Sequence, residues 1–73
     1  MPGLAPAPRL WRMRRRHHHI DATLARAGAA WQLTFLRNDQ PMIVWRYDDE
    51  AAARAEADLR RRDLERAGWT SHW

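Results

Sequence analysis

The sequence predicts a small α+β fold. Its centre is a ββαβ unit of a two-stranded hairpin, a long helix and a short C-terminal strand, preceded by a short helix and a disordered basic N-terminal arm. Three observations carry that expectation. "WQLTFLRNDQPMIVWRY" is a pair of aromatic and β-branched runs around a turn. "DDEAAARAEADLRRRDLERAG" opens with acids and closes with Arg, as a helix dipole favours. Residues 1–20 carry five Arg and no acid, while the remaining residues carry eight Arg against nine Asp and Glu, so the net charge of +4 belongs to the N-terminal segment.

Residues 1–19, "MPGLAPAPRLWRMRRRHHH", combine Pro and Gly with a charge run and read as a flexible Arg/His-rich arm. Residues 20–73 read as a single small α+β domain. Met13 is a second candidate start that would leave "RRRHHH" in place. An Arg-rich, acid-poor beginning is also transit-peptide-like, but Pro2, Pro6 and Pro8 oppose the amphipathic helix that this requires. The segment lacks the apolar core of a signal peptide and no stretch approaches a spanning length, so a cytoplasmic location is expected. In "IDATLARAG", Asp21 is placed to cap a short helix, with Ile20 at the preceding staple position and Gly28 as a left-handed stop. So short a helix forms only where Ile20 and Leu24 cover apolar surface.

The hairpin spans 30–47, and its loop length decides which side chains share a face. A three-residue loop, Asn38 to Gln40, gathers Trp31, Leu33, Phe35, Ile43, Trp45 and Tyr47 on one face beneath the helix. A two-residue loop, Asn38 and Asp39, joins Trp31, Leu33 and Phe35 to Met42 and Val44, and places Ile43, Trp45 and Tyr47 on a second apolar face. Turn chemistry favours the two-residue loop, because Asn38 accepts a positive φ, Asp39 tolerates one, and Gln40 is held extended by Pro41.

The long helix spans 48–67, capped by Asp48 and stopped by Gly68. Glu50 with Arg54, Glu56 with Arg60 and Asp58 with Arg62 stand i to i+4 in the favourable direction. Ala52, Ala55 and Leu59 lie on one side, and Ala53, Ala57 and Leu64 about a third of a turn away. The helix can therefore approach a sheet closely while the sheet supplies the bulk. "GWTSHW" alternates and suits a terminal strand over 69–73. A right-handed crossover would set that strand beside the first hairpin strand and parallel to the second.

Composition narrows function without naming it. A chain of 73 residues has a marginal core unless a disulfide, a metal or a partner adds to it, so oligomerisation is expected. With no Cys, disulfides and thiolate metal sites are excluded. All thirteen basic residues are Arg and Ala also occurs thirteen times, a bias that a GC-rich genome explains before selection for guanidinium chemistry does.

The leading expectation is a non-enzymatic binding protein. Its arm contacts nucleic acid through phosphate clamps at Arg12, Arg14, Arg15 and Arg16 and a stacking Trp11, and its body dimerises. A solvated basic tail, an anionic membrane or an acidic protein are the competing readings of the arm. The alternative function is a protein-interaction module, an adaptor or inhibitor, that uses Ile43, Trp45 and Tyr47 on the second sheet face. His17, His18 and His19 point alternately and neighbour three Arg, so no metal site and no cofactor are expected; the imidazoles extend the positive arm at lower pH. No catalytic residue is assigned. Ser71 and His72 lack an acid partner of fixed spacing, and the helix carboxylates are matched by Arg neighbours.

Overall fold

The computed structural model describes residues 8–71. Strands β1 (Arg9–Arg15), β2 (His18–Ala27), β3 (Ala30–Arg37) and β4 (Gln40–Tyr47) form an antiparallel meander. Helix α1 (Glu50–Arg66) then crosses one face, and β5 (Thr70–Ser71) joins the far edge, giving a five-stranded sheet of order β4-β3-β2-β1-β5. Among the described residues no helix is long and apolar enough to cross a membrane.

The α+β class, the hairpin, the helix and the short last strand are as expected. The N-terminal third is not. The short helix expected over residues 20–27 is strand β2, and residues 9–15, expected in a disordered arm, are strand β1. The reason is a period of two: Trp11 and Met13 alternate with Arg12 and Arg14, and Ile20, Ala22 and Leu24 alternate with Asp21 and Thr23. Trp11, Met13, Ile20, Ala22 and Leu24 are all buried, a burial that one helical turn would not achieve. Asp21 caps nothing and faces Arg12 across the strand pair, while Gly28, at φ 64°, turns a hairpin instead of stopping a helix. The last strand also differs, lying antiparallel to β1 at the opposite edge from β4. The first seven residues of the expected arm, and His72 and Trp73 of the expected strand, lie outside the described residues.

All three hairpins close with two-residue turns, flanked by Arg15 and His18, by Ala27 and Ala30, and by Arg37 and Gln40. Asn38 and Asp39 both take positive φ, 50° and 70°, as a type I′ turn requires. The β3–β4 register then slips between Leu36 opposite Pro41 and Phe35 opposite Ile43, leaving Met42 as a bulge. That single extra residue combines the loop of one expected register with the faces of the other. Trp31, Leu33, Phe35, Ile43, Trp45 and Tyr47 share a face beneath α1, although the turn has two residues. Pro41, with no N–H to give to a ladder, sits where the ladder is interrupted.

The core is set by the sheet. Trp11, Met13, Leu24, Leu33 and Phe35 rise into it, and Ala53 and Ala57 let the helix backbone come down onto them. The Trp11 indole Nε1–H donates to the Ala57 carbonyl at 2.9 Å, tying β1 to the middle of α1. Phe35 meets Trp45 edge-on at 6.0 Å, and the Arg60 guanidinium covers the outer side of Trp45 at 5.0 Å. Of the two small-residue rows in the helix, the one with Ala53 and Ala57 is buried, while Leu59 stays 53% exposed. The helix cap is Asp49, one residue later than expected, accepting from the Ala51 N–H.

Candidate functional site

Strand register sorts the arginines. On α1, Arg54 pairs with Glu50, Arg60 with Glu56, Arg61 with Asp58 and Glu65, Arg62 with Asp58, and Arg66 with Asp63. The helix surface is therefore close to neutral. In the sheet, Arg12 and Arg9 are drawn to Asp21. Among the described residues, six exposed Arg make no ion pair: Arg26, which lies over the Trp31 ring, and Arg46 stand toward the far end of the sheet, and Arg14, Arg15, Arg16 and Arg37 make up the rest.

Arg14, Arg15, Arg16 and Arg37 gather at one end of the sheet, where the β1–β2 and β3–β4 turns lie side by side. The Asn38 N–H donates to the His19 carbonyl at 2.9 Å, and the Asn38 side-chain oxygen accepts from the His19 N–H at 3.0 Å, so the two turns form one rigid edge. Arg15 is opposite His18 and Arg37 is opposite Ile20, which puts Arg15, His18 and Arg37 on the same face as the buried Met13, Ile20 and Phe35, just past the last apolar rung. Here the helix has ended. Gly68, at φ 98°, makes a left-handed stop in which the Trp69 N–H reaches the Leu64 carbonyl at 2.9 Å and the Gly68 N–H reaches that of Glu65 at 3.1 Å. This hydrogen-bonded turn holds Trp69 half-buried against the core, facing the cations.

The result is an open cleft of about 180 Å³ lined by Arg15, Arg16, His18, Arg37 and Trp69, with no carboxylate in its wall among the described residues. Guanidinium groups are planar forks that match phosphate and carboxylate oxygens. His18 Nδ1 lies 3.0 Å from the Asn38 amide nitrogen and accepts from it, which leaves Nε2–H as the neutral ring's remaining donor. The cleft thus offers hydrogen-bond donors and positive charge beside the Trp69 indole.

The opposite sheet face has a different character. Arg12 grips Asp21 in a two-pronged pair, Nε to Oδ1 at 2.7 Å and NH2 to Oδ2 at 2.8 Å. Asp21 is only 6% exposed. Burial alone would raise its carboxyl, but the hydrogen bond from Arg12 and the charges of Arg12, Arg9 and His19 hold it below the ordinary carboxylate value. His19, Asp21 and Asp39 bring three possible metal ligands within 4.8 Å of one another. The Arg12 guanidinium already supplies positive charge to that cluster, at 2.7 Å from Asp21 and 3.9 Å from Asp39, and a metal would have to displace it. The cluster is an ion-pair network.

Of the residues that the sequence singles out, Arg15 and Arg16 line the cleft, while Arg14 is exposed on the opposite face at the same end. Arg12 is engaged by Asp21, and Trp11 is buried at 5% exposure, so its ring cannot stack on a base. Ile43, Trp45 and Tyr47 lie on the helix side; Trp45 and Tyr47 are half-buried and Ile43 is 39% exposed. Burial of the Tyr47 hydroxyl raises its pKa, as does the charge of Glu56, against the opposing charge of Arg60. Sequence reasoning misses Arg37, His18 and Trp69 as partners of Arg15 and Arg16. Their one signal is that each closes a strand or a helix at the same end of a meander, visible only once β1 and β2 are read as strands. Compared with protein-family models, curated proteins and solved structures, the chain matches none, so what this cleft can do follows from its own chemistry.

Proposed function

We propose that the protein is a small, non-enzymatic nucleic-acid-binding protein that holds phosphates at the turn end of its sheet. The observation that carries this reading is the segregation of cations: Arg15, Arg16 and Arg37 surround one cleft with no acid in its lining, while each helix Arg is neutralised by a carboxylate three or four residues away. A membrane surface fits less well. Interfacial binding needs apolar groups projecting beyond the charges, and Trp69 is drawn back against the core.

Removing residues 1–19 would delete β1 and so report on folding. The cleaner test keeps net charge change equal. Arg15→Gln/Arg16→Gln/Arg37→Gln is compared with Arg54→Gln/Arg62→Gln/Arg66→Gln for binding to a labelled oligonucleotide by fluorescence anisotropy across a salt series. The cleft triple variant is expected to flatten the slope of log affinity against log salt by about 0.7–0.9 for each phosphate that is no longer neutralised. The helix triple variant keeps its slope. An equal weakening of the two variants would show that bulk charge alone is responsible and would end the proposal.

A second reading is favoured by one observation. Edge strand β4 exposes Met42, Ile43 and Val44, at 49%, 39% and 50%, beside an unpaired backbone edge. A protein partner or a second copy adding a strand there would serve an adaptor or inhibitor role. Under that reading Val44→Lys abolishes a dimer or complex seen by light scattering.

A further inference from the structure

We infer that the cleft takes a single-stranded nucleic acid, with a phosphate held between Arg15, Arg16 and Arg37 and an adjoining base laid against Trp69. This rests on the phosphate-binding reading above and goes further, because it assigns strandedness. Cations alone do not distinguish duplex from single strand, since both carry phosphates. An aromatic ring beside them does: a base in a duplex is already stacked on its neighbours, whereas an unpaired base has a free face.

Three features place Trp69 in that role. First, it is the aromatic in the lining of the cleft, and it shares that lining with three guanidiniums. Second, its position is fixed by backbone: the turn at Gly68, with the Trp69 N–H bonded to Leu64, orders the residue before any ligand arrives and lowers the entropy cost of stacking. The Arg15 Nε lies 3.9 Å from where a Cβ on Gly68 would stand, so the guanidinium of β1 and the chain leading to the indole are near neighbours. Third, among the described residues no strand or helix projects from this end to enter a groove. The two turns and the helix terminus are blunt, which suits a flexible strand draped across them better than insertion into a duplex.

The bound unit is short. At about 180 Å³, with three guanidiniums around one indole, the cleft suits a single nucleotide and its phosphate. Sequence preference is expected to be weak, because the lining is guanidinium, imidazole and indole, and stacking tolerates every base.

The test uses the full chain with a ~10-nucleotide oligothymidine, the matching duplex, and heparin as a base-free polyanion. Affinity for the single strand is expected to exceed that for the duplex about tenfold or more, the range that one stacked base supplies. Trp69→Leu keeps apolar packing against the core while removing the stacking surface. It is expected to lower single-strand affinity about tenfold, leave the salt slope unchanged and leave heparin binding unchanged. Thermal melting of the variant confirms the fold. Single strand and duplex bound alike, or a Trp69→Leu variant that binds oligothymidine like the parent, overturns this inference while the phosphate reading stands. Failure to bind any of the three polymers overturns both.

Discussion

The helix surface and the turn end of the sheet use the same residue in opposite ways. Five Arg on α1 are each within 3.0 Å of a carboxylate on their own helix. Arg15, Arg16 and Arg37, from two strands and a turn, converge on one cleft and meet no acid there. Net charge hides this difference. What separates the regions is periodicity: a helix returns to the same side every three or four residues, so a local run of acids and Arg satisfies itself, whereas a meander brings residues about twenty positions apart to one end. The two tryptophans nearest these regions divide the same way. Trp11 is buried in the core, whereas Trp69 is half-buried against it and lines the cleft.

The largest expected effect tests that division. Trp11→Ala removes a buried ring and its bond to Ala57, and should cost about 3–5 kcal/mol, a large share of the roughly 5–15 kcal/mol that holds a typical domain folded. Trp69→Ala, at a half-buried position, should cost about 1–2 kcal/mol. Thermal melts followed by circular dichroism compare them directly. Similar destabilisation at the two positions would mean that Trp69 is a core residue and that the aromatic edge of the cleft is incidental.

The contrast also explains how much could be read from sequence. The helix was legible because its determinants are local: Glu50 and Arg54, and Glu56 and Arg60, pair as their spacing predicts, at 2.9 and 2.8 Å. The Asn38–Asp39 turn was legible for the same reason, since its left-handed backbone is a property of two residues. The faces of the hairpin were not, because the bulge at Met42 answers to burial of Trp45 and Tyr47 under a helix not yet placed. Strands β1 and β2 are not legible because their signals are locally ambiguous. Asp21 before an apolar residue reads as a cap, Gly28 reads as a helix stop, and five Arg in eight residues mask the alternation of Trp11 and Met13. What decides for strands is distant, namely Arg12 against Asp21 and Trp11 against Ala57, the latter 46 residues away. The cleft inherits that difficulty. Arg15 and Arg16 stood out as charges, but Arg37, His18 and Trp69 acquire meaning only from the topology.

The next effect in size concerns Asp21, the acid that draws Arg12 and Arg9 out of the pool of free cations. Asp21→Asn breaks the charge-assisted pair with Arg12 and should cost about 1.5–3 kcal/mol at neutral pH. The pH dependence has a definite sign. The Asp21 carboxyl is held below its ordinary value in the folded state, so its contribution is complete above the unfolded value of about 3.9 and is lost as pH falls through the lower folded one. The gap in melting temperature between parent and Asp21→Asn should therefore be constant near neutrality and close in acid. A gap that persists at low pH would assign the effect to shape and not to charge. Asp21→Asn also frees Arg12, so a rise in nucleic-acid affinity would extend the binding surface onto the open face.

The smallest effect is the most direct measure of the helix as a closed electrostatic system. Arg54 and Glu50 are both solvated, with side chains 57% and 41% exposed. Arg54→Gln should accordingly cost only about 0.2–0.5 kcal/mol, and less in high salt, where exposed charges are screened. Its effect on oligonucleotide binding should be slight and of a telling sign. Removing Arg54 leaves Glu50 unneutralised, so any change reflects a distant negative charge and fades once the Debye length drops to about 3 Å in molar salt. Arg15→Gln removes a phosphate clamp, and the deficit persists as a lower salt slope at every concentration. If the two single variants weaken binding in parallel across the whole salt range, the helix arginines are not spoken for by their carboxylates, and the separation between the two regions fails at its root.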